Sequence, residues 1–273
     1  MKNFKNRAFL LAHEDLMVLD VRYDMADGTY GRKAYEAGHY KGAYFLDLDM
    51  DLAGPEKNHG GRHPLPPREK LQERLRSFGL SKGQPVLIYD DGDNAAAGRL
   101  WWMLKYYGLE EVYVLAGGFS SLAPEDLTKN TSQKSPGDIV LEENNHMTAS
   151  YEEVKAYAEK DVASRNTVLV DARAKERYKG LVEPIDIMKG HIKHAQNVFF
   201  RDHFDAHNIL QLDKTKENFK EILSYEDVIV HCGSGVTACT NIMALDELGK
   251  PSRLYVGSFS DFISYEGNTV ERD

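Results

Sequence analysis

The chain has 273 residues, 42% of them hydrophobic and 28% charged, with a formal net charge of −9; this exceeds the usual size of one domain and makes two the better expectation, without excluding one large barrel. An acidic balance argues against general binding to nucleic acid or to an anionic membrane, both of which attract basic surfaces, although a local basic pocket stays open. Only Cys232 and Cys239 occur, which excludes a disulfide framework and a zinc-type cysteine cluster and points to a reducing, cytoplasmic setting.

At the amino terminus, MKNFKNRAFLLAHEDLMVLDVR carries basic residues before a short apolar run, but His13, Glu14 and Asp15 interrupt it before a signal-peptide core forms. No apolar segment approaches membrane-spanning length. The run VLDVR (18–22) leads to EAGHYKGAYFLDLD (36–49). PVLIYDDG (85–92) then reads as a buried strand and turn, NAAAGRLWWMLKYYG (94–108) as an amphipathic helix, and VYVLAGGF (112–119) as the next strand. Residues 123–147 are rich in Pro, Gly, Ser, Asn and charge, as expected of an exposed connector between domains at 1–122 and 148–273. Ser150 and Glu153 offer a capping box for a helix opening the second domain.

The second half repeats the first. VLVDAR (168–173) leads to KGHIKHAQNVFF (189–200), and DVIVHCGSG (227–235), VTACTNIMALDELG (236–249) and RLYVGSF (253–259) follow in the same order and spacing. So long a period indicates duplicated domains, since solenoid repeats recur roughly every 20–50 residues. Short apolar runs alternating with longer amphipathic stretches predict α/β domains, each a mostly parallel sheet flanked by helices.

Cys232 sits on the turn between the strand DVIVH and the helix that follows. Gly233 and Gly235 permit a tight curl that aims amide N–H groups at one point, and the helix adds its positive end. Such a cradle stabilises a thiolate or the terminal sulfur of a persulfide; the alternative is a small buried hydrophobe. Cys239, seven residues on, reads as a packing residue. Gly233, Gly235 and Ala238 also spell G-x-G-x-x-A, but RLYVGSF lacks the acidic residue of a dinucleotide site. A cysteine phosphatase needs an Arg where Ala238 stands. Asp90, Asp91, Asp93 and Asn94 resemble a fragment of a calcium loop, but Trp101 replaces its Glu, so a solvated turn is expected.

These residues resemble the tandem-rhodanese sulfurtransferases over nearly the whole chain. CGSGVT (232–237) is similar to the active-site loop of the 3-mercaptopyruvate branch; in place of the two basic residues of the animal thiosulfate enzymes stand Gly233 and Ser234. DAR followed by RYKG (171–173, 177–180), GHIKHAQN (190–197), YVGSFSDF (255–262), RLWWMLKYYG (99–108) and VLAGGF (114–119) support the match. The resemblance implies two tandem rhodanese-like domains, with the second catalytic. Cys232 would carry sulfur as a persulfide, and Asp90, in the equivalent slot, leaves the first copy unable to do so. Ser234 would work with His63 of RHPLP and Asp49 of FLDLD, both lent by the first domain, to move protons during C–S cleavage; a structural role for His63 stays open. Arg177 would grip the donor's anionic group, and Gly233, Gly235, Val236 and Thr237 would line the cradle. Ile185 of EPID replaces a second family arginine, and Lys179 or Lys189 would compensate poorly, so the donor is open between 3-mercaptopyruvate and thiosulfate. The acceptor would be cyanide, a small thiol or a thioredoxin-like protein, with no metal or organic cofactor. A non-catalytic persulfide carrier or partner-binding module is the alternative.

Overall fold

The structure, a computed structural model, describes residues 1–159 and 166–273. The chain divides into two compact units. The first gathers Met1–Gly54, Leu65–Asn144 and Asp205–Leu210, the second Pro55–Pro64, Asn145–Phe204 and Gln211–Asp273. A short piece of each sequence half is therefore built into the unit formed mainly by the other half.

In the first unit, β1 (Phe4–Lys5), β2 (Met17–Asp20), β3 (Tyr44–Phe45), β4 (Val86–Tyr89) and β5 (Val112–Leu115) form a parallel sheet in the order β1-β5-β4-β2-β3. Every residue of β2 and β4 is buried, as expected of central parallel strands covered on both faces. The accompanying helices are α1 (Arg7–Ala12), α2 (Tyr30–Ala37), α3 (Arg68–Ser77) and α4 (Ala95–Tyr106).

Two sequence expectations change here. The α4 helix is buried almost all round, with Leu100, Trp101, Trp102, Met103 and Leu104 all inside, rather than amphipathic. The connector departs from expectation only in part: residues 137–144 stay mostly exposed but are strapped onto the first unit by backbone hydrogen bonds. Gly137 and Ile139 donate their amides to Arg76 O and Leu80 O, while Glu142 and Asn144 donate to Tyr107 O and Tyr106 O at the end of α4. Ile139 and Leu141 point inward and Val140 outward, the alternation of an extended segment with one buried face.

In the second unit, β6 (Thr148–Ala149), β7 (Thr167–Asp171), β8 (Gln196–Asn197), β9 (Asp227–His231) and β10 (Arg253–Tyr255) form a parallel sheet in the order β8-β7-β9-β10-β6. This reproduces the first sheet read from its β3 edge. The helices are α5 (Tyr151–Glu159), α6 (Lys175–Tyr178), α7 (Leu212–Asn218), α8 (Ala238–Glu247) and α9 (Ser258–Phe262). The capping box at α5 forms in both directions, with the Ser150 amide donating to Glu153 Oε2 at 2.8 Å and the Glu153 amide to Ser150 Oγ at 3.3 Å.

The duplication reaches individual side chains. Arg22 grips Asp20 and donates to Gly38 O at 2.8 Å, and Arg173 grips Asp171 and donates to Gly190 O at 2.7 Å. Each guanidinium lies 3.9 Å from the centre of a phenylalanine ring, Phe119 or Phe259. Tyr35 stacks on His39 as Tyr178 stacks on His191. Buried charges persist only when paired and hydrogen-bonded, so this Asp-x-Arg clamp is part of the fold. Among the described residues, no helix is long and apolar enough to cross a membrane.

Candidate active site

Cys232 follows β9 directly and is 2% exposed. The Gly235 amide donates to its Sγ at 3.2 Å, and Gly235 has φ +79°, a conformation that glycine adopts without steric cost. Gly233 shows close approach of side chains rather than the special backbone conformation the sequence suggested. Its φ is not left-handed, but a Cβ there would lie 3.1 Å from Arg62 Nη2 and 3.5 Å from Arg177 Nη2. Ser234 is buried, Val236 borders the loop, and Thr237 stands at the start of α8 without a side-chain capping bond. Cys239 is buried in the first turn of α8, where its thiol donates to Gly235 O at 3.3 Å. Neither cysteine forms a disulfide.

The stretch after β10 braces this loop. The Cys232 amide donates to Ser258 Oγ at 3.2 Å, and Ser258 Oγ donates onward to Tyr255 O at 2.9 Å. Phe259 and Ser260 donate their amides to Cys232 O and Gly233 O. Ser258 is fully buried with φ +57°, a conformation costing a non-glycine residue on the order of 1–3 kcal/mol that the surrounding hydrogen bonds must offset. The sequence marked YVGSFSDF only as a family likeness, and its bracing role depends on contacts that sequence spacing does not reveal.

His63 Nδ1 lies 2.7 Å from Ser234 Oγ. The resemblance assigns His63 to the first domain, but Pro55–Pro64 is part of the second unit. The segment is stapled to α9 and its surroundings. The Gly60 amide donates to Asp261 Oδ1 at 2.7 Å, the Arg62 amide donates to Ser260 Oγ at 3.2 Å, and His59 stacks on Tyr265. Gly61 has φ +78°, and a Cβ there would lie 2.3 Å from Gly257 O. Asp49 belongs to the first unit, where the Tyr23 hydroxyl donates to its Oδ2 at 3.4 Å. Burial and the Asp49 charge push the Tyr23 phenol up to about 12.

Arg177, on α6, donates Nε and Nη2 to Glu183, and Nη2 also donates to Asp186 Oδ2 at 2.9 Å. Arg62 Nη1 pairs with Asp186 Oδ1. Burial works to raise the Glu183 carboxyl, but Arg177 and the amides of Asp186 and Ile185 outweigh it and leave it below the ordinary range. For Asp186 burial prevails, and its carboxyl is raised in spite of Arg62. Lys189 and Ile185 are exposed and Lys179 is half-buried. The second guanidinium beside the loop is therefore Arg62, a residue quoted in RHPLP whose role the sequence did not disclose.

In the first unit Asp90 follows β4 as Cys232 follows β9, and Phe119 donates its amide to Asp90 O as Phe259 does to Cys232 O. The expected solvated turn is instead closed, with Asp90 and Asn94 buried. The Asp90 carboxyl accepts amides from Gly92 at 2.8 Å, Ala97 at 3.1 Å and Asn94 at 3.3 Å, so the loop folds around its own carboxyl group. Burial and the nearby Asp93 push Asp90 up to about 7. Among the described residues no group of three or more His, Cys, Asp or Glu could hold a metal ion.

The rhodanese-like domain family matches residues 8–125 and 151–265. The chain is 38% identical over 263 residues to a Pseudomonas aeruginosa protein named probable 3-mercaptopyruvate sulfurtransferase, across 93% of this chain and 91% of that one. It is 32% identical over 272 residues to a putative thiosulfate sulfurtransferase of Mycobacterium tuberculosis, across 96% and 92%. The solved structure of 3-mercaptopyruvate sulfurtransferase from Leishmania major matches with a TM-score of 0.82 at 27% identity, covering 96% of this chain and 74% of that one. With two sheets of one topology, paired Asp-x-Arg clamps and a family match to each half, the chain belongs to the rhodanese family as a tandem of two rhodanese-like domains.

Proposed function

We propose that this protein is a sulfurtransferase that takes a sulfur atom from 3-mercaptopyruvate or thiosulfate onto Cys232 and passes it to cyanide, a small thiol or a reduced protein thiol such as a thioredoxin-like protein. The observation that carries this reading is Cys232 Sγ held by the Gly235 amide at the mouth of α8, with the Ser234–His63 hydrogen bond beside it. The thiolate attacks the donor's transferable sulfur and forms the S–S bond of a persulfide. With 3-mercaptopyruvate the C–S bond breaks, its electron pair stays on carbon, and the resulting enolate takes a proton. With thiosulfate the S–S bond breaks and sulfite leaves with the pair. An acceptor then attacks the outer sulfur, leaves as thiocyanate or a new persulfide, and restores the Cys232 thiolate.

Ser234 and His63 form the proton path; Asp49, which the resemblance adds to it, belongs to the first unit. Arg177 holds the donor's anionic group, and the loop from Gly233 through Thr237 cradles the developing charge on sulfur. The reaction needs no metal or organic cofactor, and two cysteines without a disulfide fit a cytoplasmic setting. The test is steady-state turnover with each donor and cyanide: wild type turns over at least one, and Cys232→Ala neither. Absence of wild-type turnover with both contradicts the reading.

A persulfide carrier is the second reading, favoured by the carboxylates that already occupy Arg177 and Arg62. A carrier would take sulfur from a partner enzyme and show negligible turnover with either small donor.

A further inference from the structure

Beside the Cys232 loop the second unit brings together Arg62, Arg173 and Arg177 with Asp171, Glu183 and Asp186. The guanidinium and carboxylate charges cancel, and burial keeps His231 biased to its neutral form. A site expected to attract an anionic donor thus offers no net side-chain charge in this cluster. The three carboxylates are not equivalent. Asp171 with Arg173 repeats the Asp20–Arg22 clamp of the first unit and belongs to the fold. The Glu183 side chain is wholly covered, accepts the amides of Ile185 and Asp186, and holds the Nε edge of Arg177 in place.

Asp186 differs from both. It places one oxygen on each of two arginines, Oδ1 on Arg62 and Oδ2 on Arg177, and both guanidinium groups reach to van der Waals distance of where a Gly233 side chain would begin. Bridging two guanidinium groups with two oxygens is how a bound carboxylate or sulfonate would be held. The segment that carries it is docked by these ion pairs more than by apolar packing, since Leu181, Val182, Ile185 and Ile187 are all exposed.

We infer that Asp186 is an internal anion occupying the Arg62–Arg177 seat, so that an anionic donor must exchange with it, making Asp186 a specificity-determining residue that acts through the two arginines. The identity of the donor rests on the sulfurtransferase reading; the competition for the seat does not. Asp186→Asn keeps the size and leaves one positive charge uncompensated, favouring anions over neutral reagents. Arg62→Gln shifts the balance the other way.

The test is the rate at which Cys232 of the full-length protein is alkylated by anionic iodoacetate relative to neutral iodoacetamide, with the modified cysteine located by peptide mass. The ratio rises about fivefold in Asp186→Asn and falls by a similar factor in Arg62→Gln, the scale set by one unit charge near contact distance in water-like screening. Asp186→Glu stays near wild type, and KM for 3-mercaptopyruvate falls in Asp186→Asn by a larger factor than kcat changes. The iodoacetamide rate serves as the reference for an intact loop. An unchanged or lowered ratio in Asp186→Asn, or an unchanged ratio in Arg62→Gln, overturns the inference. Alkylation requires no sulfur transfer, so failure of the proposed activity would show as absent turnover while the ratio still reports on the seat.

Discussion

If the protein is the sulfurtransferase proposed above, the 2.7 Å approach of His63 Nδ1 to Ser234 Oγ would tie the choice of donor to one hydrogen bond. Protonation of carbon is required when 3-mercaptopyruvate loses its sulfur and not when sulfite leaves thiosulfate. Ser234→Ala and His63→Ala should therefore each lower kcat with 3-mercaptopyruvate by about 10²-fold, the low end of general acid–base contributions, while changing the thiosulfate rate far less; equal losses with both donors would assign the pair a structural role. That Cys232 and Ser234 share one loop was legible in the sequence, which singled out Cys232 by its glycine-flanked turn and Ser234 only by the family resemblance. Arg62 and Asp186 were not, because their pairing joins positions 124 residues apart. Gly233 was singled out for backbone freedom, whereas its neighbours show that it clears room for two guanidinium groups.

At the level of single elements, the loops after β4 and β9 share a backbone plan and differ in what fills it. Asp90 fills the first loop with its own carboxyl, which burial and Asp93 raise to about 7, above the roughly 3.9 of an exposed aspartate. Between those values the native state binds the extra proton, so this group's contribution falls as pH rises through about 4 to 7. Asp90→Asn should flatten that part of the pH dependence of thermal stability of the first unit; parallel curves for variant and wild type would count against it. The connector is mostly exposed, as its composition suggests, except for two buried positions. Its polar letters hid the alternation that buries Ile139 and Leu141 beside Val140. Leu141→Ala should destabilise the first unit by about 2–5 kcal/mol, the usual cost of emptying a buried leucine site, in chemical denaturation; a loss under about 0.5 kcal/mol, the scale of ordinary surface changes, would mean that the strap is loose.

Over the whole molecule, duplication is the organising fact, and most of the fold was readable from it. Repeated order and spacing of apolar runs defined two α/β units, and the parallel sheets follow from short strands separated by helices. The exchange of short segments was not readable, because Pro55–Pro64 is placed by individual hydrogen bonds such as Gly60 to Asp261, and Asp205–Leu210 by the close approach of Asn208 to Gly92 and of Ile209 to Gly117, rather than by periodicity. That exchange puts His63 and Arg62 in the same unit as Cys232, while the paired Asp-x-Arg clamps show one ancestral core used twice. The central claim is that Cys232 is the atom-carrying group of the molecule. Its most direct test is intact mass spectrometry of the purified protein after incubation with 3-mercaptopyruvate or thiosulfate, without an acceptor. One added sulfur, present in wild type, removed by cyanide and missing in Cys232→Ala, is the expected result; no added sulfur with either donor, or an adduct that survives in Cys232→Ala, would contradict it.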